Sequence, residues 1–364
     1  MKKIGIINGG GDTQAMNAVI ASIVRTGVNR GYKFIGFIKG WEGLLDKDFI
    51  TLEVKDVRGI SHIGGTILQT TNKGRFSAKA GDGIVREIPK EIIDLAKANL
   101  SELGIEALIV IGGDGTLSGA QQLVDQGVKI VGVPKTIDND LSVVDKTFGF
   151  STAVDIVVEA LDRIHTTALS HNRVFFVETM GRYAGWIALN AGLAGAANAI
   201  LIPELQFDYK SMINFLSWRK KIGKNYSIVV VAEGSRAINE GFVTNMKAEN
   251  SENRLGGISY EIMERIESMI PGEFEMRNVI LGHTQRGGTP NAEDRILAKI
   301  YGASAIDAIE AGRFGEMVCF ISGKMQTVPI TEAISRLKTV TSEDLVFQTA
   351  RKLGIYFGET FSSK

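Results

Sequence analysis

A chain of 364 residues with a single cysteine, Cys319, cannot close an intramolecular disulfide. Its fold has to be held by packing, and a lone thiol suits a reducing, cytoplasmic compartment. Proline is scarce at 6 residues, and aromatic side chains make up only 7%. Excess charge is missing as well, since 41 Lys and Arg balance 41 Asp and Glu. With 44% apolar and 23% charged residues, that argues against a polyanion-binding surface and against disorder. No run of about eighteen apolar residues occurs, so no transmembrane helix and no membrane partner are expected. The opening MKKIGII starts as an export signal does, but it meets Gly9, Gly10, Gly11 and Asp12 too soon to export anything.

What the chain has in abundance is glycine, 42 residues, many of them closing apolar runs. Tight strand-to-helix turns require glycine there. KIGIING followed by NAVIASIVRTGVNRGY predicts strand, loop and helix, with Val19, Ile23 and Val24 on one face. KFIGFIKG reads as the next strand. PKEIIDLAKANLSELG reads as an amphipathic helix, with Glu91 early and Gly104 late. ALIVIGGDGT, SGAQQLVDQG and KIVGVP continue the alternation, which argues a parallel α/β sheet with helices on both faces. After about Gly149 the pattern restarts with a helix, TAVDIVVEALDRIHTTALSH, and the strands NRVFFVETMG, NAILIPE and YSIVVVAEG. A second α/β domain is expected there. Residues 235–253 are polar and expected as an exposed loop. The stretch after about Arg336 carries no motif and is expected to pack on the second domain.

Two loops share one design. INGGGD and IGGDGT each end a buried strand in glycines and one aspartate. At the carboxyl end of a parallel strand, glycines let backbone N–H groups approach phosphate oxygens, and the next helix N-terminus favours an anion. An aspartate there would repel phosphate unless Mg²⁺ lies between them. Either loop alone is also an ordinary tight turn; neither is a Walker A or a dinucleotide fingerprint. The weight comes from PKTIDND, Pro134–Asp140, on the strand after the second loop. Phosphoryl transfer to an alcohol needs a metal, cations around the moving phosphate and a carboxylate for the hydroxyl proton. Asp114 suits the metal, one of Asp138 and Asp140 the base, and Lys135 and Arg182 the positive charge. Arg173, Arg277, His283 and Arg286 form a later cationic set, in which arginine suits bidentate phosphate contacts. Glu233, ending its strand, suits sugar hydroxyls. Taken singly, each of these residues also reads as a turn former, a cap or a solvated side chain.

In sequence order, GGGD, GGTIL, IGGDGT, PKTIDND, SHNRVFFVETMGRYAGWIAL, AEG and LGHTQRGGTPNAEDRILA resemble the 6-phosphofructokinase family across almost the whole chain. GGDGT alone would also resemble NAD kinases and lipid kinases, which lack the TIDND and MGR blocks. The resemblance implies two interleaved three-layer α/β/α domains with mostly parallel sheets. Residues 1–149 plus about 285–335 would bind the phosphoryl donor; residues 150–284 plus about 336–364 would bind the sugar phosphate. It implies Asp138 as general base beside Thr136 and Asp140, Arg182 and Lys135 at the transferring phosphoryl group, and Asp114 on Mg²⁺. Gly11, Gly113, Gly115 and Thr116, with Asn72 and Lys73, would line the donor site. Met180, Gly181, Arg182, Glu233, His283 and Arg286 would bind fructose 6-phosphate together with Thr136 and Asp138. Arg173 and Arg277 would reach the sugar phosphate of a neighbouring subunit in a homodimer or homotetramer.

Three departures stand out. Gln14 and Ala15 replace the family's usual Pro-Gly; Asn72 falls where a donor-site arginine is common, leaving Lys73 or Arg75 to substitute; and Ala21 replaces an arginine of allosteric bacterial members. Gly115 leaves room for the α-phosphate of ATP, where pyrophosphate users carry Asp. Lys135 goes with pyrophosphate use, where ATP-dependent bacterial enzymes carry Gly. ATP is the expected donor and pyrophosphate the alternative. A catalytically silent regulatory subunit and a kinase for another sugar phosphate are the remaining rivals.

Overall fold

The computed structural model describes residues 2–71, 74–76, 86–246 and 254–362. The chain divides into two compact units, residues 1–152 with 286–337 and residues 153–285 with 338–364.

The first unit opens with β1 (Lys3–Asn8), α1 (Met16–Asn29), β2 (Lys33–Phe37), α2 (Trp41–Asp46) and β3 (Phe49–Leu52). It continues with α3 (Lys90–Glu102), β4 (Ala107–Gly112), α4 (Asp114–Val124) and β5 (Ile130–Pro134). The long helix α5 (Phe150–His171) then leads into the second unit. That unit holds β6 (Val174–Thr179), α6 (Trp186–Ala194), β7 (Ala199–Leu201), α7 (Tyr209–Lys221) and β8 (Ser227–Ala232). It also holds a ribbon of β9 (Thr244–Met246) and β10 (Arg254–Leu255), then α8 (Ile258–Met269) and β11 (Met276–Ile280). The chain returns to the first unit with α9 (Ala292–Glu310), β12 (Glu316–Ile321), β13 (Lys324–Pro329) and α10 (Ile330–Ala333), and α11 (Leu345–Lys352) belongs to the second.

Among the described residues the first unit's sheet runs β13-β12-β5-β4-β1-β2-β3. Its neighbours pair in parallel except at the two margins, where β3 and β13 are antiparallel. β4 and β5 are buried along their whole length, as near-continuous apolar runs covered on both faces should be. The strand order reverses between β1 and β4, which places a crevice at their carboxyl ends. Both glycine loops leave from that crevice. The second unit's sheet, β11-β6-β8-β7, is parallel throughout, with β6 and β8 fully buried at its centre.

The expected exposed loop at 235–253 is corrected in part. Ser235 and Ala237 are buried, and Ala237 bridges Phe207. Phe207 donates its N–H to the Arg236 carbonyl at 3.1 Å, and Ile238 donates to the Phe207 carbonyl at 3.0 Å. Backbone groups that run beside a core must be paired, and this segment pairs them as a short strand would. Farther on, β9 and β10 form an antiparallel ribbon; residues 247–253 lie outside the described residues. In the C-terminal segment, Tyr356 donates its N–H to the Asn198 carbonyl at 3.1 Å and stacks on Phe215 with ring centroids 4.5 Å apart. Among the described residues no helix is long and apolar enough to cross a membrane.

Candidate active site

In the first unit the two glycine loops interlock through Thr116. A β-carbon at Gly9 would lie 2.5 Å from Thr116 Cγ2, and one at Gly112 would meet the same side chain. Thr116 is buried in the first turn of α4 and needs both glycines to sit there. The Gly9 N–H donates to the Ile111 carbonyl at 3.0 Å, and Thr70 Oγ1 donates to the Gly10 carbonyl at 2.7 Å. Asp114 opens α4, where a carboxylate complements the helix dipole, and its Oδ1 accepts the Gly115 N–H at 2.6 Å. The N-terminus of α4 therefore faces the crevice with backbone N–H groups suited to a phosphate.

Lys135 extends from β5 beneath the first loop. Its backbone N–H continues the ladder to the Gly112 carbonyl at 2.9 Å, and its Nζ donates to the Gly11 carbonyl. The side chain is 3% exposed. Burial pulls the ammonium down to about 7, the positive field of Arg286 adds to that, and Asp12, Asp138 and Asp140 restrain the fall. Arg286 lies on the other side of the loop, donating from Nη1 to the Asp12 carbonyl at 3.0 Å. A β-carbon at Gly11 would come within 2.8 Å of that nitrogen, so the guanidinium occupies the space a side chain would fill. Gln14, fully buried, donates from Nε2 to the Gly287 carbonyl at 3.1 Å and ties the same loop to the residue after Arg286.

The loop after Lys135 is pinned rather than extended. Thr136 accepts the Asp138 N–H on Oγ1 at 3.1 Å, and its carbonyl accepts Thr147 Oγ1–H at 2.7 Å. Asn139 takes the left-handed conformation at φ 53° and accepts the Thr147 N–H on its side chain at 3.1 Å. Asparagine is among the few residues that tolerate this backbone. Asp138 and Asp140, flanking it, stay half-buried at the crevice. Carboxylate oxygens are the hard donors that Mg²⁺ takes, commonly one or two from protein with phosphate and water completing the shell. Asp114 fits that pattern. Among the described residues no group of three or more His, Cys, Asp or Glu side chains forms a metal cage.

In the second unit, Met180–Arg182 leave the carboxyl end of β6 and Glu233 leaves that of β8, side by side. The Glu233 N–H donates to the Thr179 carbonyl at 2.8 Å and the Gly234 N–H to the Gly181 carbonyl at 3.1 Å. His283 is exposed on a 3-10 turn, Gly282–Arg286, close after β11 at the same end of the sheet. Gln285, which lies within the LGHTQRGG motif but was assigned no role, is fully buried; its Oε1 accepts the Met180 N–H at 3.2 Å and its Nε2 donates to the Gly282 carbonyl at 2.9 Å. It fixes the turn that carries His283 to the loop that carries Arg182. Glu178, also buried, accepts the N–H groups of Gly257 and Ser259 at 2.8 and 3.0 Å and so holds the start of α8. The signal for Glu178 was a charged residue set inside an apolar run; Gln285 had none beyond its place between His283 and Arg286.

Arg173 and Arg277 are not brought to this end. Arg173 precedes β6 and Arg277 is the second residue of β11, whereas Met180 follows β6. Six strand residues at about 3.3 Å each put roughly 20 Å of backbone between Arg173 and Met180. Asn72, at the position of the missing donor-site arginine, and Lys73, one of the two candidates to substitute for it, lie outside the described residues. Arg75 is committed elsewhere: its Nε donates to Glu42 at 2.9 Å and its Nη2 to Asp46 at 2.6 Å.

Comparison with known proteins bears on this geometry. A family described as Phosphofructokinase matches residues 3–309. The chain is 42% identical over 363 residues to the ATP-dependent 6-phosphofructokinase 2 of Clostridium perfringens, covering 99% of each. It is 46% identical over 361 residues to the pyrophosphate–fructose 6-phosphate 1-phosphotransferase of Streptomyces coelicolor, covering 98% of this chain and 100% of that one. A solved phosphofructokinase structure from Saccharomyces cerevisiae superposes with a TM-score of 0.78 at 31% identity over 92% of this chain, which spans 45% of that longer polypeptide. A family match over most of the length and bacterial relatives aligned nearly end to end lead to one conclusion: the chain belongs to the phosphofructokinase family.

Proposed function

We propose that the chain is a 6-phosphofructokinase that transfers the terminal phosphoryl group of ATP to the 1-hydroxyl of fructose 6-phosphate, giving fructose 1,6-bisphosphate in glycolysis. The observation that carries this reading is the crevice of the first unit. Two glycine loops lock on Thr116, and the next strand delivers Lys135 and the pinned Asp138 to the same place.

In this reading the backbone N–H groups at the start of α4 take the donor phosphates. Mg²⁺, held through Asp114, offsets phosphate charge when bound. Asp138 accepts the proton of the 1-hydroxyl as its oxygen bonds to phosphorus and the bond to the leaving oxygen breaks. Lys135 and Arg182 stabilise the negative charge of the moving group. Met180, Gly181, Arg182, Glu233, His283 and Arg286 hold the sugar phosphate. Arg173 and Arg277 serve a neighbouring copy in a homodimer or homotetramer, which their place at the opposite end of β6 supports. Buried Cys319, its thiol pushed up to about 12 by burial, suits a cytoplasmic setting without depending on it.

Pyrophosphate is the second reading, favoured by Lys135 lying directly under Gly11 and by what the Streptomyces relative's name says of that protein. Gly115 favours ATP, because a glycine at the start of α4 adds no bulk or charge against a nucleotide. Purified protein given fructose 6-phosphate, Mg²⁺ and either ATP or pyrophosphate, with fructose 1,6-bisphosphate followed, decides between them. Turnover with ATP alone is expected. Turnover with pyrophosphate alone transfers the assignment to the second reading, and none with either donor ends both.

A further inference from the structure

β11 forms one edge of the second unit's sheet, and at its amino-terminal end, beside that of β6, two arginines converge on one carboxylate oxygen. Arg173 donates from Nε to Glu275 Oε1 at 2.7 Å, and its Nη2 lies 2.6 Å from the same atom. Arg277 donates from Nη2 to that oxygen as well, at 2.9 Å, and from Nη1 to the Met276 carbonyl at 2.7 Å. The hydrogen bond from Arg173 and the charges of Arg173, Arg277 and His171 hold the Glu275 carboxyl below its ordinary range.

The arrangement is poor as a stabilising device. Arg277 and Glu275 are 50% and 47% exposed and Arg173 is 22% exposed, and an ion pair whose carboxylate is so open to water contributes little to folding. Two guanidinium forks crowd onto one carboxylate oxygen, although each fork could engage two acceptors at once. The fold thus presents two converging arginines whose capacity a single carboxylate does not fill. A phosphomonoester does fill it. It carries about 1.5 to 2 negative charges near neutral pH and three terminal acceptor oxygens, against one charge and two oxygens for a carboxylate.

We propose that Glu275 is a specificity residue: a carboxylate built into the chain that occupies the anion seat of Arg173 and Arg277 and yields it to a phosphomonoester but not to a weakly charged anion. The inference rests on the reading above in which these two arginines take a sugar phosphate, and it adds a residue which that reading does not contain. Glu275 keeps both guanidinium groups aimed at one point while no substrate is present. Each binding event must then displace it, so it lowers the affinity of every anion by a similar factor, and only a ligand with the charge and oxygens of a phosphomonoester still binds tightly enough to fill the seat.

Glu275→Gln in the full-length protein tests this. It keeps the shape and removes the charge. The KM for fructose 6-phosphate is expected to fall by about 1.4- to 5-fold, the span that an exposed pair of this kind is worth. The gain should be confined to KM, and millimolar chloride or acetate should become a competitive inhibitor with respect to fructose 6-phosphate. An unchanged or increased KM overturns the proposal. Arg173→Ala and Arg277→Ala separate it from its premise. If they raise KM while Glu275→Gln leaves it unmoved, only the role of Glu275 fails; if neither alters KM, the assignment of the two arginines fails and the proposal with it. An unchanged melting temperature in Glu275→Gln is expected, and a large fall would mark the carboxylate as structural and overturn the role given to it.

Discussion

The protein presents cationic side chains in two opposite ways. In the first unit Lys135 is 3% exposed, held by the backbone carbonyl of Gly11, and drawn down to about 7 by burial. In the second unit Arg173, just before the central strand β6, and Arg277, half exposed on the edge strand β11, are held by the carboxylate of Glu275. Burial fixes the geometry of a charge but weakens its hold on its proton. Exposure leaves the charge whole and the side chain free to turn, so its position must be set by a counter-charge. A lysine can serve the first arrangement because its proton can be lost; arginine suits the second because its charge persists at all working pH values.

The sharpest break of this contrast should come at the rigid site. Asp138→Asn, which leaves the pinned loop its shape but removes the base, should lower kcat by about 10²- to 10⁴-fold in the coupled assay. A variant that turns over within a factor of a few of the parent would show that Asp138 is not the base. Next in size is the cost of disturbing the interlocked loops. Gly9→Ala sets a β-carbon 2.5 Å from Thr116 Cγ2 and should destabilise the protein by about 1–3 kcal/mol in denaturant titration. Adding Thr116→Ala to the same chain should return part of that loss, because the two sites touch and their effects are not additive; purely additive losses would contradict the interlock.

Lys135 in the free enzyme is charged below about 7 and neutral above it, so kcat/KM for the phosphoryl donor should decline as pH rises through about 7. Lys135→Met should start lower and lack that step. The arginine pair should contribute no such ionisation to the KM for fructose 6-phosphate. A donor profile that is the same in the parent and in Lys135→Met would remove the lysine from donor binding.

The glycine loops, PKTIDND and the strands behind them could be read directly, because a buried strand that ends in glycine and aspartate leaves few alternatives. The β12–β13 hairpin could not: KMQTVP mixes polar and apolar residues at an edge where little has to be buried, so its period is weak. Thr116 was assigned to the donor site, yet its use as a wedge between Gly9 and Gly112 needs three-dimensional proximity that no local pattern carries. The claim of Glu275 on Arg173 spans 102 residues of sequence, and that of Gln285 on Met180 spans 105. Arg75 shows the reverse, a plausible donor-site cation by position that two carboxylates hold elsewhere.

The order of strands along the chain also has a consequence during synthesis. β12 pairs with β5, but Pro134 ends the one and Glu316 begins the other, with the whole middle of the second unit translated between them. At the usual pace of about 5–20 residues per second, that edge of β5 emerges roughly ten to forty seconds before its partner does. During that interval it is an open row of backbone donors and acceptors, the kind of edge on which another chain can build. A nascent or truncated chain that stops before Glu316 therefore exposes a sticky margin that the finished protein never shows.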